Sequence, residues 1–244
     1  MSRFDEADDP RRRLLIKALT AGVISAALMN KVALAESIFG STPRKLPSGR
    51  SIYRLRGMAR VNGQDANLAT FIKPNDTIQT FAKSELVFVV GGHAVILREN
   101  SHIRLAGKDD KASFLIQGIR IVAGKLLAVS RSQGTQIRTS TATIGIRGTG
   151  YYIESEPDKT YFCTCYGLSD VESTDDPSSK DTVVSKYHDK PLYIFGSEPE
   201  GKNIRPAPFI NHTDQELMLI ETLVGRTPPF VFAGDEYSAP RREY

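Results

Sequence analysis

A chain of 244 residues has room for one large or two small domains, and 40% hydrophobic residues are enough to bury a core. Its 32 basic and 28 acidic residues give a formal charge of +4, and the first 35 residues hold six of those bases against four acids. The remainder is close to neutral, which gives no argument for nucleic-acid binding, because that needs a concentrated basic face.

Residues 1–35 read as an export signal. Arg11, Arg12 and Arg13 precede a mildly apolar run over 18–29, and Ala33-Leu34-Ala35 offers the small residues a signal peptidase needs. The run is about 12 residues against the ~20 of a spanning helix, so no stable transmembrane anchor is expected. Paired arginines followed by Leu-Leu-x-Lys point to twin-arginine export and a periplasmic destination. Residues 36–50 are a polar, proline-containing linker.

From residue 51 the pattern is short strands: 51–61, 67–72, 78–81, then 85–90 and 93–98 around the Gly91-Gly92 hairpin turn. Strands over 102–105 and 113–116 flank a turn at 107–110, and 119–129 follows with Gly124 interrupting it. Residues 137–146 read as one Thr- and Ile-rich strand. Gly145, Gly148 and Gly150 then predict a bend or bulge, before a hairpin of 151–155 and 160–166 around Glu156-Pro157-Asp158-Lys159.

Residues 172–181 are a polar loop, strands 182–186 and 191–195 lie on either side of Tyr187-His188-Asp189, and 196–202 is a loop. Thr213-x-x-Glu216 is a capping box opening a helix over 214–224, with Leu217, Ile220, Leu223 and Val224 on one face. Gly225 ends it, Pro228-Pro229 prevents its continuation, and 238–244 is expected to fray. The expected fold is all-β, an antiparallel sandwich or solenoid-like domain with one short C-terminal helix.

Thr-Ala-Thr-Ile-Gly-Ile-Arg-Gly-Thr, residues 141–149, resembles the signature of the FecR domain family, A-x-x-G-V-R-G-T before an aromatic strand. The resemblance covers about 51–173, leaving 174–244 as an extension expected to pack on the β domain. It implies that Gly145, Arg147, Gly148 and Thr149 define the fold. Arg147 is expected to be a buried, hydrogen-bonded organiser of the hairpin rather than an anion receptor. Many such proteins relay signals from an outer-membrane receptor to a cytoplasmic sigma factor. Only ten residues precede the arginines here, so sigma regulation is not expected to carry over.

Chemistry concentrates at Cys163-Thr164-Cys165. Residues two apart on a strand share a face, so the two sulfurs emerge side by side. Their Cα separation of about 6.5–7 Å is at the upper edge of disulfide geometry, so a bridge requires local distortion. With His188 and His212 the pair makes a four-ligand set for zinc or copper. Disulfide, metal and free thiols all stay open. Each histidine taken alone is explained structurally, and Asp214 by the helix dipole. Gly145 to Gly150 runs G-x-x-G-x-G and is no dinucleotide fingerprint. No serine nucleophile accompanies His93 or His102, so no enzyme is expected. The leading expectation is a periplasmic binding, scaffolding or sensory module for a protein or cell-envelope partner, and the alternative is a metal-binding or redox protein using Cys163 and Cys165.

Overall fold

The computed structural model describes residues 43–110, 113–130, 132–199, 201–227 and 229. The chain divides into units 1–42 and 43–244. Residues 1–42, read above as an export signal and the first part of a linker, Pro228 and the end expected to fray lie outside the described residues.

The second unit is all-β, with one short helix near its C-terminal end among the described residues. The strands are β1 (Ile52–Arg56), β2 (Ala59–Val61), β3 (Gln64–Asp65), β4 (Thr77–Thr80), β5 (Glu85–Val90), β6 (His93–Leu97) and β7 (His102–Asp110). They continue with β8 (Ser113–Ser130), β9 (Gln133–Arg138), β10 (Ala142–Ser155), β11 (Lys159–Ser173), β12 (Lys180–Ser185), β13 (Leu192–Phe195) and β14 (Ile204–Pro206), before the helix α1 (Asp214–Leu223). No described helix is long and apolar enough to cross a membrane.

All fourteen strands among the described residues belong to one sheet, ordered β14-β13-β11-β10-β9-β8-β7-β4-β2-β3, with β12 on β11, β6 on β8, β5 on β6 and β1 on β5. β8 is the hub. Its first part pairs with β7, its last part with β6 and β10, and residues 118–120 run parallel to β9, the one parallel pairing among the described strands. Gly124 marks the change of partners. Its φ is +103°, and a Cβ there would sit 2.3 Å from Ser101 Oγ, so only glycine lets the two segments meet.

Several expected boundaries moved. Residues 67–72 form turns, held by Asn67 Oδ1 accepting from Ala69 N, and are not a strand. Gly107 to Asp110 continue β7 instead of turning. Residues 137–146 split into β9 and β10, because Thr139 N and Oγ1 both donate to Ala142 O and close a hairpin through hydroxyl-bearing residues that also suit strands.

The strands that carry the site are buried on both faces. Leu86, Phe88, Val95, Leu97, Leu126, Ala128, Tyr151, Ile153 and Phe162 face the central core, around which the sheet folds. Their neighbours Val87, Ala94, Ile96, Leu127, Val129, Tyr152, Tyr161 and Cys163 face the opposite way, under Leu217, Ile220 and Leu223 of α1. The alternation that usually places polar residues outside is therefore absent, and a helix takes the place of solvent.

Thr213 caps α1 by accepting from Glu216 N while Glu216 Oε2 accepts from Thr213 N, which completes the capping box. At the other end Gly225 has φ +73°, with the aliphatic stem of Lys45 packed against it. Leu46 N donates to Leu223 O at 2.9 Å, so the last part of the linker is tied to the helix end.

His93 at the start of β6 is 1% exposed, and neither ring nitrogen has a hydrogen-bond partner among the described residues. Burial first, and Arg226 second, pull its pKa down to about 4. A histidine neutral in the fold and protonated when unfolded loses stability as the pH falls from about 6.5 to about 4, and below that the loss is complete. Relative to a His93→Phe variant, the protein is expected to lose about 3 kcal/mol between pH 7 and pH 4, measured by urea unfolding at both. Parallel curves for the two proteins would contradict this assignment.

Candidate metal centre

On β11, Tyr161, Cys163 and Cys165 face α1, while Phe162 faces the central core. Opposite them β10 carries the Gly148 bulge, where φ is +69°. Pairing resumes as Gly150 with Tyr166 and Tyr151 with Thr164, which leaves Cys165 without a partner in the register. A bulged residue breaks the alternation, and Cys165 and Tyr166 accordingly lie in the same apolar cluster. Gly150 is obligatory, since a Cβ would fall 2.5 Å from the Tyr166 ring. Both cysteines are fully buried and unbridged.

The next strand over leaves a gap at this level. β13 pairs with residues 159–162 and β12 with 167–172, so the segment between has no strand on that side. The connection from β12 to β13 fills it. Asp189 Oδ2 accepts from Lys186 N at 2.6 Å, Tyr187 N at 3.2 Å and Ser185 Oγ at 3.3 Å, which tightens the loop. His188, at φ +52°, donates its backbone N–H to Cys165 O at 2.9 Å, and its ring is buried against the sulfurs.

His212 arrives from the segment before α1. Tyr161 Oη donates to Pro208 O and accepts from Ile210 N, Asn211 Nδ2 donates to Glu154 Oε1, and the Tyr152 ring stacks on the His212 imidazole at 4.6 Å. The N-cap Thr213 follows immediately, so the helix start fixes the position of this ring.

The donor atoms of Cys163, Cys165, His188 and His212 all lie within 4.8 Å of one another, and all four residues are buried. His188 Nδ1 is 3.5 Å from Cys163 Sγ and 3.2 Å from His212 Nε2. With zinc bonds of about 2.3 Å to sulfur and about 2.0–2.1 Å to nitrogen, a tetrahedron has edges of about 3.3 Å between nitrogens and about 3.6 Å between nitrogen and sulfur. Two of the observed separations already have these lengths. None of the remaining separations exceeds 4.8 Å, so a shift of about 1 Å closes the set to tetrahedral edges, the longest of which is the roughly 3.8 Å between two sulfurs.

The outer nitrogens are committed elsewhere. His188 Nε2 lies 3.1 Å from Asp214 Oδ1, and His212 Nδ1 lies 2.6 Å from Ile210 O. Both partners are acceptors, so each ring carries its proton on that outer nitrogen and turns a lone pair inwards. Two inward lone pairs beside two thiols call for a positive charge between them. Carboxylate and carbonyl partners of this kind are what orient histidines at metal centres. Asp214 also accepts from Tyr187 Oη at 2.7 Å.

Without a metal, a proton meets that demand. Burial pulls the His188 imidazole down, but hydrogen bonds to Asp214 and Cys163 more than offset it and raise its pKa to about 9. Burial pushes the Cys163 thiol up, yet hydrogen bonds from Cys165, His188 and His212 hold it well below the ordinary thiol range. Cys165 goes the other way, raised by burial and by its neighbour's charge. The two thiols are thus driven apart, Cys163 towards the thiolate and Cys165 towards the thiol, with the His188 imidazole beside Cys163.

Of the signature residues, Gly148 and Thr149 form the bulge. Thr149 is buried, and its methyl would lie 2.6 Å from a Cβ on Gly167. Gly145 adopts ordinary strand geometry with no close neighbour. Arg147 is not buried: its side chain is 62% exposed and pairs with Asp170 at 2.5 Å, because the strand alternation points it away from both apolar layers. Asp214, Tyr187 and Tyr152 were missed as parts of the centre. The signal for Asp214 was its position two residues after His212 in the first turn of a capped helix; its carboxylate meets the His188 ring, which the sequence did not place there.

No protein-family model matches the chain, and no curated protein does. Two solved structures of a "putative anti-sigma factor" from Parabacteroides distasonis ATCC 8503 are similar to it at 15% and 14% identity. Each covers 67% of this chain and 82% of its own, with a TM-score of 0.43.

Proposed function

We propose that this chain is an exported, non-catalytic β module of the periplasm that recognises a protein or cell-envelope partner, and that it is built around one structural zinc ion. Cys163 Sγ, Cys165 Sγ, His188 Nδ1 and His212 Nε2 are the ligands. The observation that carries the metal reading is the convergence of these four buried donors with both outer imidazole nitrogens already engaged. Four protein ligands and no exposed face leave no open coordination position, which favours a structural role over catalysis. A tetrahedral set of two sulfurs and two nitrogens favours zinc over copper. The recognition role rests on the signal-like N-terminus and the FecR-like signature at 141–149.

Elemental analysis of protein purified without chelator, with thiol titration after unfolding, tests the metal. One zinc per chain and two titratable thiols are expected, with zinc lost in a Cys163→Ser, Cys165→Ser double variant. Stoichiometric copper would overturn the choice of metal. Metal-free protein without titratable thiols would mean a disulfide and would overturn the centre.

A further inference from the structure

The register of the sheet brings together residues that composition conceals. Arg104 on β7 pairs with Arg120 on β8, and Arg120 pairs with Arg138 on β9. These positions are far apart in sequence, yet the three side chains stand in one cross-strand row, all exposed. Thr77 on β4 and Thr143 on β10 flank the row. The acids beyond it are already taken: Glu172 pairs with Lys180 and Asp170 with Arg147. Among the described residues no acid pairs with any of the three arginines, and Arg138 Nε donates only to Gln136 Oε1, at 3.0 Å.

Like charges directly opposite one another on a sheet destabilise it, and a guanidinium cannot shed its proton to relieve the repulsion. Beside the row lies a smooth second one, Ala106, Gly118, Gln136 and Gly145, in register on the same face. Gly118 has no room for a side chain, since a Cβ would meet Gln136 O at 2.9 Å. The surface is thus a shallow trough with a cationic wall. Val122, 51% exposed and two residues beyond Arg120, adds an apolar contact.

We propose that this arginine row is a binding site for a linear acidic polysaccharide carrying one carboxylate per sugar. Adjacent strands are about 4.8 Å apart, so the row presents bidentate donors at a regular spacing that suits one anion per repeat of a pyranose chain. The smooth row gives the sugar rings a floor. Single-stranded nucleic acid fits less well, because it needs aromatic platforms for its bases, and among the residues whose side chains are described the exposed aromatics Phe71 and Tyr187 lie outside β7, β8 and β9.

The test is calorimetric titration of the full-length, zinc-loaded protein with polygalacturonate oligomers, and in parallel with phosphatidylglycerol vesicles and single-stranded DNA. Oligomer binding is expected to weaken about tenfold between about 50 and 200 mM salt. An Arg104→Gln, Arg120→Gln, Arg138→Gln triple variant is expected to bind at least about tenfold more weakly with a melting temperature no lower than the parent's, since it removes repulsion. An Arg50→Gln, Arg56→Gln, Lys83→Gln variant loses the same charge elsewhere and is expected to bind normally. Equal loss in both variants, no oligomer binding at low salt, or row-dependent binding of vesicles or DNA in preference to the oligomer would each overturn the proposal. A metal-free result in the elemental analysis bears on the centre alone and leaves this titration to be read by itself.

Discussion

Stripping the zinc-loaded protein with chelator until elemental analysis finds no metal is expected to lower its melting temperature by about 10 °C or more, with recovery on adding one equivalent of zinc. Apparent binding free energies of structural zinc are on the order of 10 kcal/mol, and binding energy at a site absent from the unfolded chain is folding energy. Only part of it is lost here. The central core forms a cluster separate from the centre, and the contact of His188 Nδ1 with Cys163 Sγ at 3.5 Å does not depend on the metal. A residual loss of about 4 kcal/mol corresponds to the stated shift for a domain of this size. An unchanged melting temperature in protein shown to have lost stoichiometric zinc would mean that the ion is not structural.

Truncation after Ile210 is expected to do more, leaving protein that aggregates. It removes His212, Asp214 and α1 together. Leu217, Ile220 and Leu223 are fully buried, and at about 1.5–3 kcal/mol each they contribute roughly 5–9 kcal/mol, comparable with the whole stability of many domains. It also uncovers Val87, Ala94, Ile96, Leu127 and Val129, a contiguous apolar stretch of the sheet face. Charged and polar contacts go with it: Arg98 loses Glu216, 2.8 Å away, Tyr166 Oη loses Glu221, Tyr187 Oη and His188 lose Asp214, and Glu154 loses Asn211. Sedimentation and urea unfolding of the truncated chain beside the double cysteine variant separate the helix from the metal, because the cysteine variant keeps α1 and should stay soluble. A soluble, cooperatively folding truncation would show that the helix is dispensable.

The turn and cap chemistry was readable in the chain because it is local. Gly91-Gly92 makes the hairpin between β5 and β6, Glu156 to Lys159 turns β10 into β11, and Thr213 with Glu216 starts α1, each through contacts a few residues apart. The common face of Cys163 and Cys165 followed from strand periodicity. What brought His188 and His212 to them was not local. It depends on a gap between β12 and β13, on the loop tightened by Asp189, and on the bulge that leaves Cys165 unpaired. Arg147 was misjudged for the same reason: whether a strand residue faces in or out is decided by partners hundreds of atoms away in the chain. The arginine row was invisible for want of register, since a one-residue slip would scatter it.

The bond from Leu46 N to Leu223 O has a mechanical meaning. The described β unit is entered and left at one corner, so a tether on either flank pulls on the same few residues and the broad sheet stays out of the load path. Such a module can be spliced into a host loop, or hung from a surface by either flank, without changing which face it presents.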